Sequence, residues 1–170
     1  ILYVSQMPAS PPRFGAQARM NGLMTELARR HNLTAAVLID DEFDADECRH
    51  AMKAYCREFV LIQNPYGAGG ATKRLVQARS IASPLSFERF RVTVPQFQRA
   101  LDEILLTNPF DIVNLEFPYL GHYNLRQSPT GTKPPVVIVD SHEIAYDLGR
   151  QFARRWSARR AKAPALPRGL

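Results

Sequence analysis

The sequence has few cysteines, a single tryptophan and no long uninterrupted apolar segment. Its two cysteines, Cys48 and Cys56, stand eight residues apart in a segment with a helical pattern, which would separate them by about 12 Å. That distance is too long for a disulfide, and no histidine stands where it would complete a zinc site. We therefore expect two unpaired packing cysteines and a cytoplasmic protein. No run of about 18 apolar residues occurs, which excludes a membrane-spanning helix.

Acidic residues are missing from the last part of the chain. The final 23 residues hold seven basic residues and no acid, whereas the net charge of the first 147 is −1, so the total of +6 comes from the tail. A nucleic-acid-binding domain usually carries its positive charge on the folded body. We therefore expect no nucleic-acid partner.

Short apolar segments alternate with amphipathic ones along most of the 170 residues. We predict strands over residues 1–5, 33–39, 59–62, 111–115 and 136–139. We predict helices over residues 16–31, 44–55, 72–80, 95–107, 118–124 and 143–163, and we interpret residues 81–94 as irregular. This alternation predicts an α/β fold, a Rossmann-like doubly wound parallel sheet in three αβα layers with strand order 3-2-1-4-5. The domain would span residues 1–156, followed by a basic, proline-containing tail over residues 157–170.

Ligands of such sheets bind outside the carboxyl ends of the strands, where the strand order reverses, here between strands 1 and 4. In the loop after strand 1, Arg13 adds positive charge, and Gly15 stands just before a helix whose free N–H groups attract anions. Glu116 ends strand 4 and could accept hydrogen bonds from hydroxyl groups. Each of these residues also has a structural interpretation, as part of a rigid connection or as a cap.

Residues 140–143 (DSHE) close strand 5. Asp140 or Ser141 could cap the next helix, and Glu143 in its first turn would favour the helix dipole. His142 is not explained in this way. It is a titratable imidazole at the carboxyl edge, suited to binding a substrate or moving a proton.

The glycine-rich segment 66–73 (YGAGGATK) is similar to a phosphate-binding loop only at first sight. A Walker loop ends in Gly-Lys-Ser/Thr, but Lys73 follows Thr72 and precedes Arg74. We predict a surface turn here.

The last predicted helix carries an apolar stripe opposite a basic face, formed by Ile144, Leu148, Phe152 and Trp156. Such a helix packs on its own domain or a neighbour, or it lies on a membrane surface.

Four segments, in this order, resemble bacterial family-4 glycosyltransferases of the GT-B fold. They are residues 1–34 (ILYVSQMPASPPRFGAQARMNGLMTELARRHNLT), 83–90 (SPLSFERF), 110–116 (FDIVNLE) and 140–143 (DSHE). The resemblance covers about residues 1–153. Some members of this group have Asn after the His, where this chain has Glu143.

The resemblance implies a retaining transferase that moves a sugar from a nucleotide-sugar to an acceptor hydroxyl of a bacterial polysaccharide or glycolipid. His142 would then contact the transferred sugar and act as the catalytic residue, Glu116 would contact the acceptor, and Gly15 with its helix end would approach the donor phosphates. Arg13 would line the cleft, and Glu143 would stand beside the substrate. No metal and no separate cofactor is expected, because helix dipoles and basic side chains stabilise the leaving diphosphate.

A GT-B enzyme also needs a C-terminal domain that grips the nucleotide, and the sequence does not contain one. We therefore expect the chain to be the acceptor-side part of a longer enzyme, inactive by itself and in contact with that missing domain or with the inner membrane face. The alternative is a Rossmann-like binding module without catalysis, because a fold alone does not determine function.

Overall fold

Parallel strands and their connecting helices make up most of the described chain, which in this computed structural model comprises residues 1–67 and 69–141, without the side chains of residues 71–73. The strands are β1 (Leu2–Ser5), β2 (Thr34–Ile39), β3 (Glu58–Gln63), β4 (Ile112–Glu116) and β5 (Val136–Asp140). The helices are α1 (Gly15–Ala28), α2 (Ala45–Met52), α3 (Gly70–Ile81), α4 (Phe87–Arg91) and α5 (Pro95–Thr107), with a 3-10 helix at Pro118–Leu120. Residues Ile1–Asp140 form one compact unit.

The five strands form one sheet in the order β3-β2-β1-β4-β5, and every neighbouring pair is parallel. This confirms the predicted α/β class, the Rossmann-like arrangement and the strand order. The register pairs Tyr3 with Asn114 across β1 and β4, and Glu116 with Asp140 across β4 and β5. The carboxyl ends of the three strands β1, β4 and β5 therefore meet at one edge.

Side chains of each strand alternate between two apolar cores, one on each face of the sheet. Leu2 and Val4 of β1 belong to the core that contains Phe97 and Leu101 of α5. Tyr3 points to the opposite core, which contains residues of α1 and α2. Each fully buried large side chain contributes about 1.5–3 kcal/mol, so the two cores together fix the helices on the sheet.

Helix starts follow the signals in the sequence. The side chain of Asp44 accepts hydrogen bonds from the backbone N–H groups of Asp46 (2.9 Å) and Glu47 (2.8 Å) and caps α2, as predicted. Pro95 occupies the first turn of α5, where its missing N–H costs nothing.

Residues 81–94 are not irregular throughout, so that prediction was wrong. They contain α4, whose cap Ser86 accepts a hydrogen bond from the N–H of Arg89 at 3.3 Å. Five residues are too few to show a 3.6-residue apolar period, which is why the pattern gave no signal. The helix predicted over 118–124 is shorter, and the one predicted over 143–163 lies outside the described residues.

Both cysteines are buried and free. Burial raises the pKa of the Cys56 thiol to about 12, which keeps it protonated and agrees with a packing role. Within residues 1–67 and 69–141, none of the helices combines the length and apolar character needed to cross a bilayer.

Candidate functional site

A buried carboxyl group lies at the carboxyl end of β4. Glu116 is fully buried, and its Oε1 accepts hydrogen bonds from the Tyr3 hydroxyl and from Asn114 Nδ2 (3.2 Å). Strand alternation puts all three side chains on the α1 face of the sheet. Burial, together with the bond to Glu116, raises the pKa of Tyr3. The hydroxyl therefore remains a donor and holds the carboxyl group in place.

An ion pair between α1 and β5 adjoins this carboxyl group. Arg19 Nη1 lies 2.7 Å from Asp140 Oδ2, and Asp140 is the register partner of Glu116. The Arg19 side chain is 53% exposed and that of Asp140 17% exposed. A ligand arriving from solvent would therefore meet this pair before it met Glu116.

The backbone is strained next to Glu116. Phe117 has φ 71° and ψ 134°, and its N–H donates to the Asp140 carbonyl oxygen at 3.0 Å. A residue other than glycine in such a conformation costs about 1–3 kcal/mol and is found most often at functional sites. The strained residue Phe117 therefore lies at the same edge of the sheet as the polar side chains.

Arg13 turns towards a different part of the molecule. Its Nη2 lies 2.8 Å from Glu47 Oε2, its Nη1 donates to the Glu42 carbonyl oxygen at 3.1 Å, and its guanidinium lies 5.7 Å from the centre of the Phe43 ring. These partners follow β2, on the side of β1 away from β4. The structure thus directs the charge of Arg13 away from Glu116, and Arg19 is the arginine beside the polar cluster.

Gly15 is the first residue of α1, one residue before the predicted start of the helix, and a Cβ added there would meet no atom within 4 Å. Packing therefore does not require glycine at this position. The loop before it is closed by Gln17, which accepts from the Arg13 N–H (2.9 Å) and donates to the Pro8 carbonyl oxygen (2.8 Å). The side chain of the capping residue, Phe14, forms no capping bond.

His142 and Glu143 lie outside the described residues. They follow Ser141, which comes directly after β5. Their predicted roles therefore stay predictions.

A cavity of about 440 Å³ lies at the carboxyl ends of β2 and β3. Asp40 on its wall accepts a hydrogen bond from Asn64 Nδ2 (2.9 Å) and pairs with Arg91, and Tyr66 and Gly67 also line the cavity. Sequence reasoning could not find this arrangement, because Arg91 belongs to α4, which the pattern did not reveal.

The sequence contained a signal for part of the cluster that our prediction did not use. Within β4, Asn114 and Glu116 alternate with apolar residues and so share one face, an unusual polar row in a central strand. Tyr3 and Arg19 gave no comparable signal, since a tyrosine in a strand and an arginine in a helix are both ordinary.

Among the described residues, no three His, Cys, Asp or Glu side chains are grouped as metal ligands would be.

Comparison with known proteins finds no matching family model, no similar curated protein and no similar solved structure.

Proposed function

We propose that the chain is the N-terminal, acceptor-side domain of a retaining GT-B glycosyltransferase that moves a sugar from a nucleotide-sugar to an acceptor hydroxyl in bacterial polysaccharide or glycolipid synthesis. The observation that carries the proposal is the polar cluster of Glu116, Asp140 and Arg19 at the edge where ligands of doubly wound sheets bind. The four segments that resemble family-4 glycosyltransferases supply the reaction type.

The pair of Arg19 and Asp140 has the chemistry that a sugar needs. A hydroxyl group both donates and accepts hydrogen bonds, and here a carboxylate acceptor and a guanidinium donor stand side by side. Among the described residues, Arg19 pairs with Asp140 through one nitrogen, and its guanidinium has further N–H groups that could donate to a ligand. Glu116 is buried, and in this proposal it acts as a positioning residue behind Asp140.

Two other parts of the proposed reaction, the donor domain and the pair of His142 and Glu143, lie outside the described residues. The donor nucleotide would be held by a second domain, with no metal and no separate cofactor, and His142 with Glu143 would approach the transferred sugar. The helix end at Gly15 would face the donor phosphates. The enzyme would work in the cytoplasm, at the inner membrane face where its acceptor is lipid-linked.

Sugar transfer by the full-length protein tests this proposal. Labelled nucleotide-sugars are incubated with soluble sugar acceptors, and product NMR reports the anomeric configuration, which should be retained. Arg19→Gln and Asp140→Asn each remove a charge-assisted hydrogen bond, and we expect kcat/KM for the acceptor to fall roughly 10- to 100-fold. Arg29→Gln, which breaks the exposed ion pair between the residue that caps the end of α1 and Glu26, should leave kcat/KM unchanged.

Two results would contradict the proposal. The first is that the protein transfers no sugar from any nucleotide-sugar; binding without turnover would then favour a module without catalysis. Alternatively, the Arg19 and Asp140 variants would behave like Arg29→Gln. His142→Ala should reduce transfer in the same assay.

A further inference from the structure

The first half of the loop after β1, residues 6–14, is buried. β1 is the central strand, and the strand order reverses between β1 and β4, so this loop begins at the point where doubly wound sheets bind ligands. Loops normally run over the surface, but here Gln6, Pro8, Ala9 and Ser10 are buried. The backbone of a buried loop needs hydrogen-bond partners, and the side chains that supply them determine its shape.

Gln17 supplies two of these partners from within α1. Its side chain is fully buried. Its Oε1 accepts a hydrogen bond from the Arg13 N–H at 2.9 Å, and its Nε2 donates to the Pro8 carbonyl oxygen at 2.8 Å. One planar amide therefore holds the two ends of segment 8–13 at a fixed separation. Because Gln17 is the third residue of α1, the same side chain ties the loop to the start of the helix.

The outer end of the loop has a second, weaker attachment. Arg13 pairs with Glu47 of α2, and their side chains are 45% and 50% exposed. Exposed ion pairs contribute little to stability, because water and salt screen them. We therefore expect the buried amide of Gln17, rather than this ion pair, to determine the shape of the loop.

The backbone at this edge of the sheet is held at a cost to stability. Gln6 is 7% exposed, and its Oε1 is buried without a hydrogen-bond partner among the described residues. An unpaired buried oxygen lowers stability, and so does the positive φ of Phe117 after β4. Two such costs at the ligand-binding edge indicate that stability alone does not explain this arrangement.

We infer that Gln17 is a positioning residue that holds the loop after β1 and the start of α1 in the form that binds the nucleotide-sugar. The inference rests on the proposed function for the identity of the ligand. Gln17 is buried and acts through the backbone of residues 8–15. Because this backbone is already ordered, binding does not include the entropic cost of ordering it.

Trypsin cleavage after Arg13 in the full-length protein measures how firmly the loop is held, without any ligand. A protease cuts the bond between Arg13 and Phe14 only when the backbone around it opens. Gln17→Met removes both hydrogen bonds at similar side-chain volume, and we expect cleavage about tenfold faster than in the wild type. Glu47→Gln breaks the ion pair and retains Gln17, so it should accelerate cleavage no more than about threefold.

Gln98→Met is the matched control. Gln98 of α5 also bridges two groups, since its Oε1 accepts from the Asn124 N–H at 2.9 Å and its Nε2 donates to Asp102 Oδ1 at 2.6 Å. Its substitution should leave cleavage after Arg13 unchanged. Gln17→Glu retains an acceptor for the Arg13 N–H, so its cleavage rate should lie between those of Gln17→Met and the wild type. Thermal unfolding verifies that each variant is folded, and Gln17→Glu replaces Gln17→Met in the comparison if the latter does not fold.

Steady-state kinetics of the full-length protein test the consequence for the ligand. With UDP-glucose or GDP-mannose, whichever supports transfer, Gln17→Met should raise KM for the nucleotide-sugar about fivefold and change kcat less than about twofold, because the loop is then ordered only on binding. A merely structural residue would lower Tm and leave the KM of the folded protein unchanged. Gln98→Met should keep the KM and kcat of the wild type.

Three results would overturn the inference. Cleavage after Arg13 could be equally fast in Gln17→Met and the wild type, Glu47→Gln could be cleaved faster than Gln17→Met, or KM could be unchanged in Gln17→Met. If the wild type transfers no sugar, the proposed function fails, and the trypsin comparison alone decides whether Gln17 holds the loop.

Discussion

Phe117 has a positive φ angle, which a bulky aromatic residue rarely adopts, and it does so directly after the buried Glu116. Two features hold it there. Its ring is buried in the α1-side core, and its N–H is bonded to the Asp140 carbonyl oxygen. The packing of the ring and the pairing of β4 with β5 therefore sustain a conformation that the isolated residue would avoid.

At most positions alanine gives a more stable protein than glycine does, and at Phe117 we expect the reverse. Both variants lose the same ring, so the difference between them isolates the backbone. Glycine relaxes at positive φ and alanine does not, so we expect Phe117→Gly to be about 1 kcal/mol more stable than Phe117→Ala. Urea unfolding of both proteins measures this difference. A more stable alanine variant would show that the positive φ is not strained.

The sequence predicted where some of these residues lie in the fold, but it did not predict the direction of their side chains. Glu116 could be placed at the carboxyl edge because it ends a strand. Arg13 and Arg19 are both close to Gly15 in sequence, and only the packing of α1 and α2 determines that Arg13 meets Glu47 while Arg19 meets Asp140.

Among the elements, two glycines differ in whether their position has room for a larger side chain. Gly22 lies inside α1, and a Cβ added there would meet no atom within 4 Å. A Cβ added at Gly67 would lie 2.2 Å from Asp40 Oδ1 and 2.8 Å from its Cβ. Since Asp40 is held by Asn64 and Arg91, the turn after β3 depends on glycine and α1 does not.

Substitution by alanine should therefore change stability in opposite directions. Gly22→Ala should raise the free energy of unfolding by about 0.5–1 kcal/mol, because alanine favours the helix. Gly67→Ala should lower it by about 1–3 kcal/mol, because the turn or Asp40 must move. Urea unfolding compares the two variants with the wild type. If Gly67→Ala left the free energy of unfolding unchanged, Asp40 would be free to move away from the added methyl group.

The sequence predicted the long elements better than the short ones. The long α5 shows Phe97, Leu101, Ile104 and Leu105 on one face, and all four are buried. The five-residue α4 shows no period; Ser86 caps its start, and Arg91 at its end pairs with Asp40, which is distant in sequence. Short elements of this kind are determined by tertiary structure rather than by local pattern.

For the molecule as a whole, His122 couples stability to pH. Its Nδ1 lies 2.9 Å from the Tyr119 carbonyl oxygen and its Nε2 3.3 Å from Thr93 Oγ1, so it joins the loop after β4 to the start of α5. Burial lowers the pKa of His122 below its ordinary 6.5, and the charge of Arg89 acts in the same direction. The unfolded chain therefore binds a proton more readily than the folded protein does.

The contribution of His122 to the stability of the folded protein is therefore complete above pH 6.5, and it falls as the pH drops below that value. We expect a lower Tm at pH 5.5 than at pH 7.5, and a smaller difference in His122→Gln, whose side chain does not titrate. His31→Gln, at an exposed position, should show the same difference in Tm as the wild type. An unchanged pH dependence in His122→Gln would contradict this account.

The fold class and strand order followed from the sequence because alternating apolar strands and amphipathic helices permit few arrangements. The chemistry of the site did not follow to the same extent. It depends on the register that sets Glu116 against Asp140, and register is fixed by packing on both faces of the sheet.

The order of strands also has a consequence for how the protein is made. β1 lies at the centre of the sheet, between β2 and β4, and its partner Asn114 is 111 residues later than Tyr3. During synthesis, one side of β1 can pair with β2 early, but the other side stays open until β4 has left the ribosome. Pairings so distant in sequence form slowly, so one side of the central strand stays exposed on the nascent chain until β4 is available to pair with it.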